Sequence, residues 1–315
     1  MASPQAKLIT DKTNIAYLSN FTGSSGFMLL TKTKKYLFTD SRYILRAEKT
    51  IKKEIEIIDI TRVWRNKKEL ADHWQKLLKK HKVKLLGVEE SDLTMAKYKR
   101  YKKISPLIKF CDISGELEKI REIKSKEEIK LMVKSQNINE KVFKEIKKIV
   151  QESIANGEKI TEQDLAWKIK ELGNKFGAED ISFDPIIGFG ANSAIVHHNP
   201  GSDRLKKGQI ILVDMGMKYR GYCSDMSRMI FTAEPTKKQK EVYNTVLKAQ
   251  MTAIKGIKAG ISGSQADALA RKVIEEAGYG EYYSHAGGHG VGLDIHETPS
   301  LSVNFKGKLR ENSII

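Results

Sequence analysis

The sequence predicts an α/β domain followed by an α+β domain, and three observations carry that expectation. The chain has 315 residues, more than one ordinary domain, and about two domains of 100 to 200 residues is the natural division. Its first part alternates short apolar runs with polar helical stretches, the pattern of an α/β domain. Its second part segregates helices from strands, which argues for α+β and against a doubly wound nucleotide-binding fold.

In the first part the apolar runs are 26–31, 36–39, 54–60 and 84–88, read as strands. Between the last two, Trp64, Leu70, Trp74, Leu77 and Leu78 recur at helical spacing, so a crossover helix should cover the sheet with its aromatics in the core. Asp40 or Ser41 is expected to cap a following helix, and Arg42 and Tyr43 are candidates for a subunit contact. The charged stretch 117–126 lacks apolar alternation and is taken as the junction, giving domains over 1–122 and 123–315.

A long amphipathic helix follows, with Ile129, Met132, Val133, Ile138, Val142, Ile146 and Val150 near one stripe and Ser125 and Glu128 at capping-box spacing. A second helix is expected over 161–176, with Thr161, Glu162 and Asp164 suited to its first turn. Strands and turns run from Gly177 to Thr232, then helices over about 237–257 and 264–276, then a glycine-rich segment.

Composition narrows the function classes. Apolar residues make up 40% and charged residues 30% of the chain, which fits a folded protein and not a disordered one. The 56 Lys plus Arg against 39 Asp plus Glu invite a polyanion partner, but the lysines are spread along helices and not gathered beside aromatics. A solvated basic surface is the reading adopted, and nucleic acid is not an expected partner. Cys111 and Cys223 have no CxxC spacing and read as free thiols in a reducing compartment, hence the cytoplasm. No apolar run has the length of a signal peptide or membrane span, so export and membrane insertion are not expected.

The chemistry is concentrated in three motifs. The first is the strand Ile210–Val213 ending on Asp214, a turn over 218–221, and then Asp225. As a hairpin centred between Tyr219 and Arg220, it sets the two aspartates directly opposite each other. Carboxylates at cross-strand separations of about 5 Å repel unless a cation lies between them. The alternative is that both merely flank and solvate a turn. The second motif runs from His285 through His289 to His296-Glu297-Thr298-Pro299, with three of the chain's seven histidines in twelve residues and four glycines between. Imidazoles there can ligate a metal or donate to an oxyanion, and the spacing matches neither a zincin helix nor a dinucleotide fingerprint. The third, Asn192-Ser-Ala-Ile-Val-His197-His198-Asn-Pro200, is weak alone.

In this order and spacing the three motifs resemble the pita-bread metallopeptidases, specifically the Xaa-Pro aminopeptidase and prolidase branch. Tyr17 to Gly23, Gly26 to Thr31 and Thr39 to Tyr43 resemble that family's creatinase-type, ribonuclease H-like N-terminal domain, and Arg121 to Ser125 resembles its entry into the catalytic domain. The resemblance covers nearly the whole chain. It implies two divalent metal ions, manganese first with cobalt or zinc as alternatives. Asp214 and Asp225 would be metal ligands, the latter bridging, and His289 would bind the second metal. It also implies His197 as the stabiliser of the tetrahedral intermediate, His296 as the proton-transfer residue, and His285 beside the proline ring. A motif match of Ser193 to His197 favours His197 over His198. The implied activity is removal of an N-terminal residue before proline by a metal-bridged hydroxide. A prolidase restricted to dipeptides and a non-catalytic binding protein on the same fold are the alternatives. Creatinase-like chemistry without metal fits less well, because the aspartates are kept. Expected partners are peptides with proline in second position and a second copy of the chain, without a membrane.

The sequence also departs from the family. Two further glutamate ligands, in Thr-Ile-Glu-Pro-Gly-like and Arg-x-Glu-Asp-like strands, have no counterpart among the 315 residues. Glu297 fits a structural position of the family and Glu311 a loop. The expectation is a chain truncated at its C-terminus, binding at most one metal weakly and having weak or no activity.

Overall fold

The computed structural model describes residues 3–61 and 67–315, without the side chains of residues 67, 68 and 70. The chain divides into two compact units, one ending at Ile120 and the other spanning Arg121–Ile315. Among the described residues no helix is long and apolar enough to cross a membrane.

The first unit is built on a mixed six-stranded sheet of order β4-β3-β2-β1-β5-β6. Its strands are β1 (Ala6–Ile9), β2 (Phe27–Thr31), β3 (Lys35–Thr39), β4 (Ile55–Asp59), β5 (Leu85–Val88) and β6 (Lys109–Asp112). Four of them fall where the apolar runs predicted. β1 and β6 were not anticipated, and β1 is a central strand, antiparallel to β2 and parallel to β5. Neighbouring residues along each strand go to opposite faces. Leu8, Leu29, Tyr36 and Phe38 join one buried cluster with Trp74, Leu77 and Leu78 of helix α3 (Lys67–Lys80). Ile9, Met28 and Leu37 join another with Ile15 of α1 (Lys12–Ser19) and Ala47 of α2 (Ile44–Thr50). The crossover helix is therefore present with its Trp74 in the core, whereas Trp64 and the Leu70 side chain lie outside the described residues.

Helix α2 corrects the capping expectation. Its N-cap is Tyr43, without a side-chain cap, because both Asp40 oxygens are taken by the Arg42 guanidinium at 2.8 and 2.9 Å. Helix α4 (Met95–Ile104) is capped by Thr94, and α5 (Glu116–Arg121) forms within the charged stretch taken as a junction.

In the second unit, α6 (Lys126–Asn156) starts at the expected capping box of Ser125 with Glu128. Helix α7 (Glu162–Lys175) starts at a second box of Thr161 with Asp164. Along α6 Met132, Ile138, Val142, Ile146 and Val150 are buried, while Val133 faces solvent. A small sheet of order β11-β10-β7 joins β7 (Asp180–Ile181), β10 (Met217–Tyr219) and β11 (Tyr222–Cys223), and a second of order β12-β9-β8 joins β8 (Ile186–Phe189), β9 (Ile210–Met215) and β12 (Met226–Phe231). Ile211, Val213 and Met215 of β9 pack with α6 and α7 in one core. Strand alternation therefore sends Asp214 to the opposite face. Helices α8 (Lys237–Gly256) and α9 (Gly263–Glu276) pack together beside the ribbon of β13 (Gly288–Gly290) and β14 (Glu297–Leu301).

Candidate metal and hydrolase site

The β9–β12 hairpin presents the two aspartates, with a register shifted from the sequence expectation. Tyr219 pairs with Tyr222 and Asp214 with Ser227, so the hairpin centres between Arg220 and Gly221. Both turn residues have positive φ, 48° and 83°. A two-residue turn of that handedness matches strand twist and takes glycine readily at its second position, which a turn at Tyr219-Arg220 lacks. Asp214 and Asp225 are thus diagonal neighbours, not direct ones. A shift of two preserves parity, and both still face the same way. The partner directly opposite Asp214 is Ser227, whose hydroxyl donates to Asp214 Oδ1 at 2.7 Å.

Between the two ladders the strands come very close. A Cβ at Gly216 would lie 2.1 Å from the Ser224 carbonyl oxygen, so only glycine lets the strand pass Asp225. Buried polar groups of α6 satisfy the backbone at this break: Asn139 donates to the Met215 carbonyl at 3.1 Å and Ser135 to that of Met217 at 2.6 Å.

His289, at the bulge of β13, brings the second motif to the first. Its Nε2 lies 3.4 Å from Asp225 Oδ2, and its ring packs against His296 at 4.4 Å between centroids. Contact with Asp225 raises the basicity of His289, burial opposes it, and the Gly290 carbonyl and Asp214 add to the rise. Burial pushes the Asp214 carboxyl above its usual range, with Asp225 adding to the effect, while Ser227, His289 and His197 pull it down. Asp225, Ser227 and His289 line a cleft of about 580 Å³ together with Met132, Gln136 and Arg228.

The third motif splits its histidine doublet. His198 is tied down: its Nε2 lies 2.7 Å from Glu162 Oε2. Glu162 is fully buried and also accepts from Phe189 N, Asn192 Nδ2 and Gly201 N. Burial alone would raise this carboxyl, but those donors outweigh it and hold it below the ordinary value. His197, by contrast, is exposed and acts on Asp214. His285 is not gathered in. It is exposed, stacks edge-on against Tyr283 at 4.8 Å, and among the described residues makes no hydrogen bond or ring contact with the aspartates or His289. Its loop is anchored from α9, where the Arg271 guanidinium donates to the His285 carbonyl and the fully buried Asp267 side chain accepts from Gly287 N.

Sequence reasoning missed Ser227, Glu162 and the ion pairs that fix the His296 segment. Glu297 is 5% exposed at its side chain and pairs with Arg121 and Lys124, themselves 4% and 1% exposed. Burial counts against the Arg121 charge, and Glu297 and Asp294 more than restore it. Glu297 is thereby neutralised in place and is no spare ligand.

The donor set suits one divalent cation in kind, with two carboxylates on one face and an imidazole against one of them. Carboxylate oxygens and imidazole nitrogens are common donors to such ions. Among the described residues, no three His, Cys, Asp or Glu side chains are drawn together as a ready ligand set.

Residues 130–315 match the model of metallopeptidase family M24, and residues 3–123 match the creatinase/prolidase N-terminal domain. An Xaa-Pro dipeptidase of Pyrococcus horikoshii is 34% identical over 314 residues, which is 99% of this chain and 84% of that one. The crystal structure of an X-Pro aminopeptidase from Thermotoga maritima superposes with a TM-score of 0.87 at 32% identity, over 98% of this chain and 86% of that one. An Xaa-Pro dipeptidase from Bacillus anthracis gives 0.88 at 35% identity, over 97% and 82%. Fold and site together define a two-domain peptidase with a creatinase-type first domain and a pita-bread second domain. The chain belongs to metallopeptidase family M24.

Proposed function

We propose that the chain hydrolyses the peptide bond between an N-terminal residue and a following proline, acting as an Xaa-Pro aminopeptidase. The observation that carries this reading is the same-face pair Asp214 and Asp225 with His289 against Asp225. The relatives named above support the substrate class, and their two activities leave prolidase action on dipeptides as the second reading.

Asp214, Asp225 and His289 are the metal-holding residues in this proposal. A divalent cation, manganese first, supplies Lewis acidity and an acidified water when bound. The protein's own groups do the rest. His197 donates to the scissile carbonyl oxygen as negative charge develops on it. His296, packed on His289, delivers a proton to the proline nitrogen as the C–N bond breaks, so that one water is consumed and a free amino acid and a peptide beginning with proline leave. His285 lines the approach to the proline ring. A homodimer in the cytoplasm is the proposed setting.

The test is alanine release from Ala-Pro-Ala and Ala-Pro with and without manganese. Manganese-stimulated release from Ala-Pro-Ala, lost in Asp225→Asn, is the expected result. Cleavage of Ala-Pro alone would select the prolidase reading. No manganese-dependent release from either, together with metal-independent, salt-sensitive RNA or peptide binding, would establish a binding protein instead.

A further inference from the structure

The first unit contains a cavity of about 270 Å³ that the hydrolytic reading leaves unused. Its wall is aromatic on one side. Phe27, Trp74 and Tyr101 line it and pack on one another, with ring centroids 5.5 to 6.2 Å apart. Its charged lining groups, among the described residues, are all cationic: Lys12, Lys97 and Arg100. Lys97, Arg100 and Tyr101 stand at i, i+3 and i+4 on α4, so one helix face delivers two charges and a ring together.

Thr10 supplies the independent observation. It also lines the cavity, is only 9% exposed, and its hydroxyl is buried without a hydrogen-bond partner among the described residues. A buried hydroxyl left unpaired is costly, and an oxygen of a bound molecule would satisfy it. The carboxylates nearest to it are already engaged. Asp11 caps α1 by accepting from Asn14 N, and Glu89 accepts from Thr10 N, Asp11 N and Asn14 Nδ2.

We propose that this cavity binds a small organic anion carrying a planar aromatic or heteroaromatic ring. The ring packs on the Phe27–Trp74–Tyr101 wall and the anionic group meets Lys97 and Arg100. Charge-assisted hydrogen bonds and ring packing each favour such a ligand over a neutral ring or a bare anion. The cavity lies near the lower end of small-molecule sites, about 300 Å³ and upward, so a mono- or bicyclic ligand fits and a dinucleotide does not.

The test is calorimetric titration of the full chain with three probes, indole-3-acetate, 4-hydroxyphenylacetate and AMP, against indole and inorganic phosphate as controls. Saturable binding is expected for at least one aromatic anion, with roughly tenfold weaker binding of both controls. The double variant Lys97→Ala/Arg100→Ala changes two exposed side chains and should weaken binding by roughly tenfold or more while leaving the thermal midpoint in place. Carboxylate probes binding while AMP does not, or the reverse, identifies the anionic group. No saturable binding of any aromatic anion, equal binding of phosphate, or undiminished binding to the folded double variant would overturn the proposal.

Discussion

Ser227 stands directly across the hairpin from Asp214, so its hydroxyl fixes the carboxylate that the proposed metal needs. Partners of this kind typically change metal affinity or activity by about 10- to 100-fold when removed. Ser227→Ala is accordingly expected to lower kcat/KM by about tenfold or more without unfolding the protein; an unchanged value would remove Asp214 from the ligand set. The histidine doublet offers a second residue-scale contrast. His198→Ala leaves the buried Glu162 short of a donor and should cost about 1 to 3 kcal/mol of stability, read from urea midpoints. His197→Ala should spare stability and lower kcat by about a hundredfold, the scale of one lost oxyanion donor. The reverse pattern would exchange the two roles. Asp214, Asp225, His289 and the histidines were legible as residue types in a motif order. Ser227 was not, because the expected hairpin centre misplaced its partner. Glu162 was hidden because an acid in a helix's first turn already has a sufficient reason to be there.

At the scale of elements, the turn Arg220-Gly221 sets the register on which the site depends. Gly221→Val places a β-branched residue at φ 83° and a Cβ within 3.2 Å of Leu293 Cδ2. The left-handed region costs a non-glycine residue about 1 to 2 kcal/mol, and the variant should lose at least that in urea unfolding. A neutral result would mean the turn can be rebuilt without disturbing the hairpin. The helices of the second unit were readable because capping boxes mark their starts and apolar stripes their inner faces. β1 escaped because a four-residue strand buried on both faces carries no alternation to read. Asp40 was misjudged for a different reason: it had a nearer cation in Arg42 than any helix N–H, and a local ion pair displaced the cap.

For the whole molecule, the division into two units was legible from length and pattern, whereas the chemistry of their interiors was not. Glu89 is the clearest case. Burial pushes its carboxyl above the ordinary 4.5 although three donors bond to it. Folding then favours the protonated form, so its contribution to stability is greatest below 4.5 and is lost as pH rises through the raised value. The stability of the wild type relative to Glu89→Gln should therefore decline from acid towards neutral pH in urea titrations. A flat or rising difference would contradict the burial argument. In the second unit, manganese titration followed by electron paramagnetic resonance is expected to show saturable binding that Asp225→Asn weakens by about tenfold or more, and undiminished binding by that variant would remove Asp225 from the proposed ligand set.

The ion pairs around Glu297 bear on when this protein can acquire its active form. Lys124 meets Glu297 across 173 residues of chain, and both charges are almost wholly out of water. Until the ribosome has delivered the later partner, the earlier lysine has no reason to leave solvent. Closing so long a loop adds little to the equilibrium cost but slows the approach of its ends. The histidine segment should therefore be among the last parts to order, and the nascent chain should remain catalytically silent until synthesis has passed β14.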